Sequence, residues 1–195
     1  MTTADDSPEP FSAEDLKLLA TPDVEIRREA SVCSFDQKKL ADRIRTGEHW
    51  QQLLQAHLYY DHVVTCMLTE ELKNPDAINV RRMGFFQKSR LIRAMGLLPE
   101  QLTIVVERIN SLRNRIAHDL NFEIDENQVQ ELRGLIAPPP FPEGEEPLRF
   151  NEMLYAALLR IEDIRQHHAA RRRAMRKAFL NARRVLYSMD VEYHQ

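Results

Sequence analysis

Residues 99–119, PEQLTIVVERINSLRNRIAHD, carry the periodicity that decides the fold. Pro99 suits a first helical turn and Glu100 suits the positive end of a helix dipole, so the spacing predicts a helix that opens here and runs to about Asp119. With 100° per residue and Asn114 at zero, Leu102, Val105, Ile109, Leu112 and Ile116 fall within about 60° of the opposite side. They form an apolar stripe for packing. Glu107, Asn110 and His118 fall within about 40° of Asn114, flanked by Val106 and Ala117 on one side and Ile104 on the other, with Arg113 about 100° away. A solvated helix face is usually lysine and glutamate. Two asparagines and a histidine, mediocre helix formers with good hydrogen-bonding groups, make this strip a candidate reaction face.

Outward from that helix the chain continues to read as helical. Residues 81–98, RRMGFFQKSRLIRAMGLL, predict a helix with Phe85, Phe86, Leu91, Ile92 and Met95 as packing residues, and Gly96 is placed to end it. From about Ser34 to Lys73 one long core helix is expected, with Trp50, Leu53, Leu54, Tyr60, Val64, Met67 and Leu68 on its buried face; Pro75 in KNPDA stops it. Asp125 can cap a short helix in VQELRGLIA, and SAEDLKLLA has Ser12 at an N-cap position, with TPDVEIRREA after it either irregular or a second short helix. PPPFPEGEEP, residues 138–147, cannot be helical and is expected to be a stiff connector; from Leu148 to about Met189 the chain is almost free of breakers and predicts one long helix.

The composition agrees with this. Only five glycines in 195 residues leave few of the tight turns that antiparallel sheets need, and 43% apolar with 29% charged residues is ordinary for one globular domain. The expected class is all-α, divided as an acidic arm with a short helix (1–33), a helical bundle (34–137), the proline connector (138–147) and a long basic helix packing on the bundle (148–195). Cys33 and Cys66 lack metal-ligand spacing, and the start, MTTADDSPEPF, lacks a basic and apolar leader, so a reduced, cytoplasmic protein without metal or cofactor is expected, with no membrane span.

A net charge of −3 conceals an asymmetry: residues 1–30 carry eight acids and three bases, residues 148–190 ten bases and four acids. The acidic start reads as a mobile arm. Arg171, Arg172, Arg173, Arg176 and Lys177 on the last helix, with Asn110 on the polar strip, are candidate substrate-binding residues, the basic run offering positive charge to a polyanion. Arg183 and Arg184 extend the run around the helix. His57 and Asp61 share one turn and resemble an acid–base pair, although a histidine on an apolar stripe is more commonly a packing residue. His167 and His168 have no ligand partners at useful spacing.

Residues 113–118, RNRIAH, are similar to the signature of the HEPN superfamily, an arginine, a polar residue and a histidine in an R-x4-H to R-x6-H element on a helix of a four- or five-helix bundle. The order QAHLYYDHVVTCMLTEEL, FFQKSRLIRAMGLLP, VVERINSLRNRIAHDL also resembles that superfamily, over residues 45–137. The resemblance implies a metal-independent endoribonuclease, of the kind found in toxin–antitoxin and phage-defence systems, in which the 2′-OH attacks the adjacent phosphate and leaves a 2′,3′-cyclic phosphate. In that scheme His118 is the general base or acid, Arg113 binds the phosphate and steadies its charge, and Asn114 orients His118 or holds substrate. The implied partners are RNA, a second copy of the chain, and an antitoxin such as a small nucleotidyltransferase.

On a single helix, Arg113 and His118 lie about 140° apart, so one copy does not aim both at one atom. A two-fold dimer along the polar strip would share the cleft and use Val106 and Ala117 as contacts. A narrower resemblance, an Arg-to-His element followed by Asp, an acidic loop, a short helix and prolines, is to the mannitol operon repressor family. It implies the same bundle in a non-catalytic regulatory or interaction protein, such as a transcription regulator.

Overall fold

The computed structural model describes residues 11–136 and 148–193, and side chains up to Tyr187. The described chain is all-α: α1 (Ala13–Ala20), α2 (Asp23–Ala30), α3 (Gln37–Ile44), α4 (His49–Glu71), α5 (Phe85–Met95), α6 (Glu100–His118), α7 (Glu126–Ile136) and the long C-terminal α8 (Phe150–Tyr193). Short 3₁₀ turns at Pro75–Ile78 and Val80–Arg82 join α4 to α5. None of the described helices is long and apolar enough to cross a membrane.

Two compact units share α8: one is residues 33–165, the other combines the described parts of 1–32 and 166–195. The expected boundary at the start of the last helix therefore moves into that helix. The reason is apolar content. Phe150, Met153, Leu154, Ala157, Leu158 and Ile161 of α8 join the core of the 33–165 unit, and the residues after Arg165 turn cationic.

In that unit α6 packs against α4, α5 and α7. Leu102, Val105, Ile109 and Leu112 are buried as the stripe predicts, opposite Leu53, Tyr60, Val64, Met67 and Leu68 of α4. Each such side chain removed from water contributes about 1.5–3 kcal/mol. The buried Tyr60 hydroxyl donates to Leu154 O at 2.8 Å, which ties α4 to α8. Near the end of this unit, Arg165 donates to Glu162 (2.8 Å) and Glu70 (2.6 Å), while Ser34 N–H and Oγ donate to Glu162 at 2.8 and 2.9 Å. Burial pushes the Glu162 carboxyl up, but the bonds from Arg165 and Ser34 outweigh it and hold it below its usual range.

The expected single helix over 34–73 is two helices. Gly47 separates α3 from α4 at φ +96°, and a Cβ there would sit 2.5 Å from Gln51 Oε1, the acceptor for Glu48 N–H at the start of α4. Trp50, expected in the core, sits in the first turn of α4 and is 40% exposed. The helix expected over 81–98 is shorter, because the 3₁₀ turn takes residues 80–82; its end is as expected, with Gly96 left-handed at φ +64° and Leu97 N–H donating to Ile92 O at 3.1 Å. Asp125 caps α7, accepting from Gln128 N–H at 2.9 Å.

In the other unit Ser12 and Asp15 form a capping box that starts α1. The helix expected after the acidic arm is α1, TPDVEIRREA takes the second of its two expected forms as the short helix α2, and the acids of both meet α8. Asp15 pairs with Arg176 (2.8 Å), Asp23 with Lys177 (2.8 Å) and Glu29 with Arg173 (2.9 Å). Among the described residues of this unit, Ile26, Ala30, Ala169 and Leu180 are the buried apolar ones. Residues 1–10 of the expected arm and the proline connector lie outside the described residues.

Candidate functional site

Alpha helices α5 and α6 enclose an open groove of about 910 Å³ within the 33–165 unit. From α6 it is lined by Glu107, Asn110, Asn114 and His118, the polar strip expected from the sequence, and by Ser111 and Arg115, which lie outside that strip. Their common face follows from spacings of three, four, seven and eight residues. Asn110 is only 7% exposed and forms part of the floor, while His118 is exposed in the last turn of α6.

The second wall comes from α5. Phe86, Arg90, Arg93 and Ala94 repeat at helical spacing and line the groove together. Sequence reasoning placed Phe86 in the core; it is 56% exposed instead, and its neighbour Phe85 is the one that packs inward, against His57. A helical wheel of residues 85–95, like the one that found the α6 strip, would have grouped Phe86 with Arg90 and Arg93.

The groove is cationic. Three arginines face one carboxylate, Glu107, which lies 3.5 Å from Arg93. Arg93 also pairs with Glu100 at the start of α6. Arg90 lies over the Phe86 ring with its guanidinium carbon 5.7 Å from the centroid, and Arg115 over Phe122 at 4.1 Å. Among the described residues neither of these two has a carboxylate partner, so their charges stay available to an incoming anion.

Arg113 does not line this groove. It is half-buried, donates to Asn114 Oδ1 at 3.3 Å, and is near enough to His57 to act on it electrostatically. Burial, and then the Arg113 charge, lower the His57 pKa, so the ring is neutral at ordinary pH and acts in packing. The structure thus brings Asn110, Asn114 and His118 together and leaves Arg113 behind them, as the angular separation along one helix requires. Asp61, the other half of the suspected pair with His57, is instead the partner of buried Lys88 at 2.7 Å.

Val106, expected as a dimer contact, is 1% exposed, because the neighbouring helices of its own unit cover it; Ala117 remains exposed. The candidate polyanion-binding residues of α8 are largely neutralised within their own unit. Arg173, Arg176 and Lys177 hold Glu29, Asp15 and Asp23, while Arg171 is exposed and Arg172 half-buried.

A second hollow, of about 500 Å³, holds Cys66 and His62, with Sγ 3.6 Å from Nε2. That nitrogen lies 2.8 Å from Ser34 O and so carries the proton it donates there, which leaves it unable to accept one from the thiol. Burial also pushes the Cys66 thiol up, so the pair lacks the features of an activated nucleophile. Compared with known proteins, the chain matches no family model, no curated protein and no solved structure.

Proposed function

We propose that the α5–α6 groove binds RNA and cleaves it without a metal, as the HEPN resemblance implies. The observation that carries this reading is a single concave surface on which His118 stands among three arginines and two asparagines. A phosphodiester needs cationic donors for its oxygens and a group that moves protons, and this surface offers both.

In this scheme the 2′-OH attacks its own 3′-phosphate. His118 takes the hydroxyl proton or gives one to the departing 5′-oxygen, and the products are a 2′,3′-cyclic phosphate and a 5′-hydroxyl. Arg90 and Arg115 stabilise the negative charge that grows on the phosphorus oxygens. Arg113 acts as a positioning residue, holding Asn114 through its hydrogen bond rather than touching substrate.

One groove contains one histidine, whereas the reaction uses both a base and an acid. A second copy related by two-fold symmetry supplies the other, so the active form in this proposal is a homodimer. An antitoxin partner remains part of the same proposal.

One observation favours the regulatory reading that resembles the mannitol operon repressor. Arg113, the first residue of the motif, is outside the groove, so a protein that only binds nucleic acid or a partner there would need no reaction geometry. The test is His118→Ala in the presence of EDTA. Cleavage should fall by roughly 10²–10⁴-fold while circular dichroism is unchanged, because an exposed histidine contributes little packing. Wild-type protein that binds RNA without cutting it selects the regulator.

A further inference from the structure

We propose that Phe86 and Arg90 form a stacking platform for one unpaired base, so that the groove takes single-stranded RNA and excludes the duplex. The inference rests on the RNA reading above and adds the substrate's form.

Phe86 is a large apolar side chain, 56% exposed, on the wall of a groove whose other side chains are mainly charged or amide-bearing. Its position is not forced by packing, since Phe85 already supplies the aromatic anchor of α5 in the core. Arg90 lies one turn further on and holds its guanidinium over the Phe86 ring. An aromatic face beside a flat cation is the surface on which nucleobases stack, and each such contact is insensitive to base identity because every base has a π face.

The opposite wall suits the rest of a nucleotide. Asn110, Ser111 and Asn114 provide hydrogen-bonding groups, Arg115 provides charge for the phosphate, and His118 adds its ring nitrogens. A volume of about 910 Å³ holds more than a phosphate alone. The alternating order of flat ring and anion along a single strand matches the alternation of platform and cations across the groove. In a duplex the base faces are stacked on one another and cannot reach Phe86. An acidic or phosphorylated peptide matches the cations but has no reason to use the ring.

The test uses the wild-type chain and a fluorescent oligoribonucleotide of about twelve residues carrying 2′-O-methyl groups, which binds but cannot be cut, with anisotropy as readout. Its duplex and an abasic strand of equal charge serve as comparisons. The single strand should bind at least fivefold tighter than either, a loss of roughly five- to a hundredfold should follow Phe86→Ala, and Phe86→Trp should restore affinity. Abasic binding should be unchanged by Phe86→Ala.

Equal affinity for strand, duplex and abasic strand, or no effect of Phe86→Ala, overturns the platform while leaving RNA cleavage by His118 intact. A phosphopeptide that binds as tightly as the strand and also depends on Phe86 reassigns the groove to peptides and overturns it too. Absence of any nucleic-acid binding overturns the platform and the proposed function together.

Discussion

Two arginine-rich regions of this chain differ in what surrounds their charge. On α8 the density is high, with Arg171, Arg172, Arg173, Arg176 and Lys177 in seven consecutive positions, and carboxylates of α1 and α2 take at least three of them. On α5 and α6 the arginines are fewer, yet Arg90 and Arg115 rest on phenylalanine rings rather than on acids. A ring holds a guanidinium in place without cancelling its charge, whereas a carboxylate holds it and cancels it. Positive potential therefore follows from the partner each arginine finds. In the proposed reading the sparser region is the anion site.

The strongest way to break this contrast is to remove the groove charges. Arg90→Ala with Arg115→Ala should weaken RNA binding about tenfold or more and reduce the steepness of its salt dependence by about 1.4 in log–log slope, since two fewer phosphates are neutralised. Filter binding from low to moderate salt measures both. A slope identical to that of the parent chain would mean that these arginines do not meet the backbone, and the distinction between the two regions would collapse.

The α6 strip was legible in the sequence because helical periodicity alone places Glu107, Asn110, Asn114 and His118 on one face, and no neighbour is needed to know it. The core stripe opposite was legible for the same reason. Gly47 was missed because the apolar pattern continues across it; only its positive φ and the close approach of Gln51 reveal the break. Phe86 is exposed although Phe85 beside it is buried, because the two lie about 100° apart around α5 and only one of them faces the core. The charge asymmetry between the ends was visible as well, but its meaning was not. Asp15 and Arg176 are 161 positions apart and Glu29 and Arg173 are 144 apart, and composition carries no information about pairing at such separations.

A milder perturbation leaves the groove alone and loosens the other region. Hydrogen bonds from Arg176 and then Ser12 lower the Asp15 pKa, and bonding and charge from Lys177 lower that of Asp23, both from the ordinary value of 3.8. A carboxylate whose pKa is depressed on folding stabilises the fold at pH above its unfolded value and loses that contribution as pH falls through the folded one. Acidification below about pH 4 should therefore release α1 and α2 from α8 before the core formed by α4, α5 and α6 responds. Hydrogen exchange, corrected for its intrinsic pH dependence, should show protection lost first in Ala13–Ala20 and Asp23–Ala30. Equal loss in α4 and α6 at the same pH would show that the exposed pairs do not hold the acidic helices.

The smallest effect is expected where the sequence is most basic. Replacing Arg171, Arg172 and Arg173 together by glutamine removes three formal charges, but Arg173 is committed to Glu29, and its loss frees that carboxylate to lower the local potential further. If cationic density alone governed binding, this triple change should exceed the groove double change, because it removes more charge. If the partner of each arginine governs it, RNA affinity should stay within about twofold of the parent, and the lost exposed pair should cost no more than about 1 kcal/mol of stability. Titration of the same oligonucleotide against both variants in one buffer separates the two cases. A triple variant that binds more weakly than the groove variant would place the RNA on α8, and would do so despite the carboxylates that Asp15, Asp23 and Glu29 set against it.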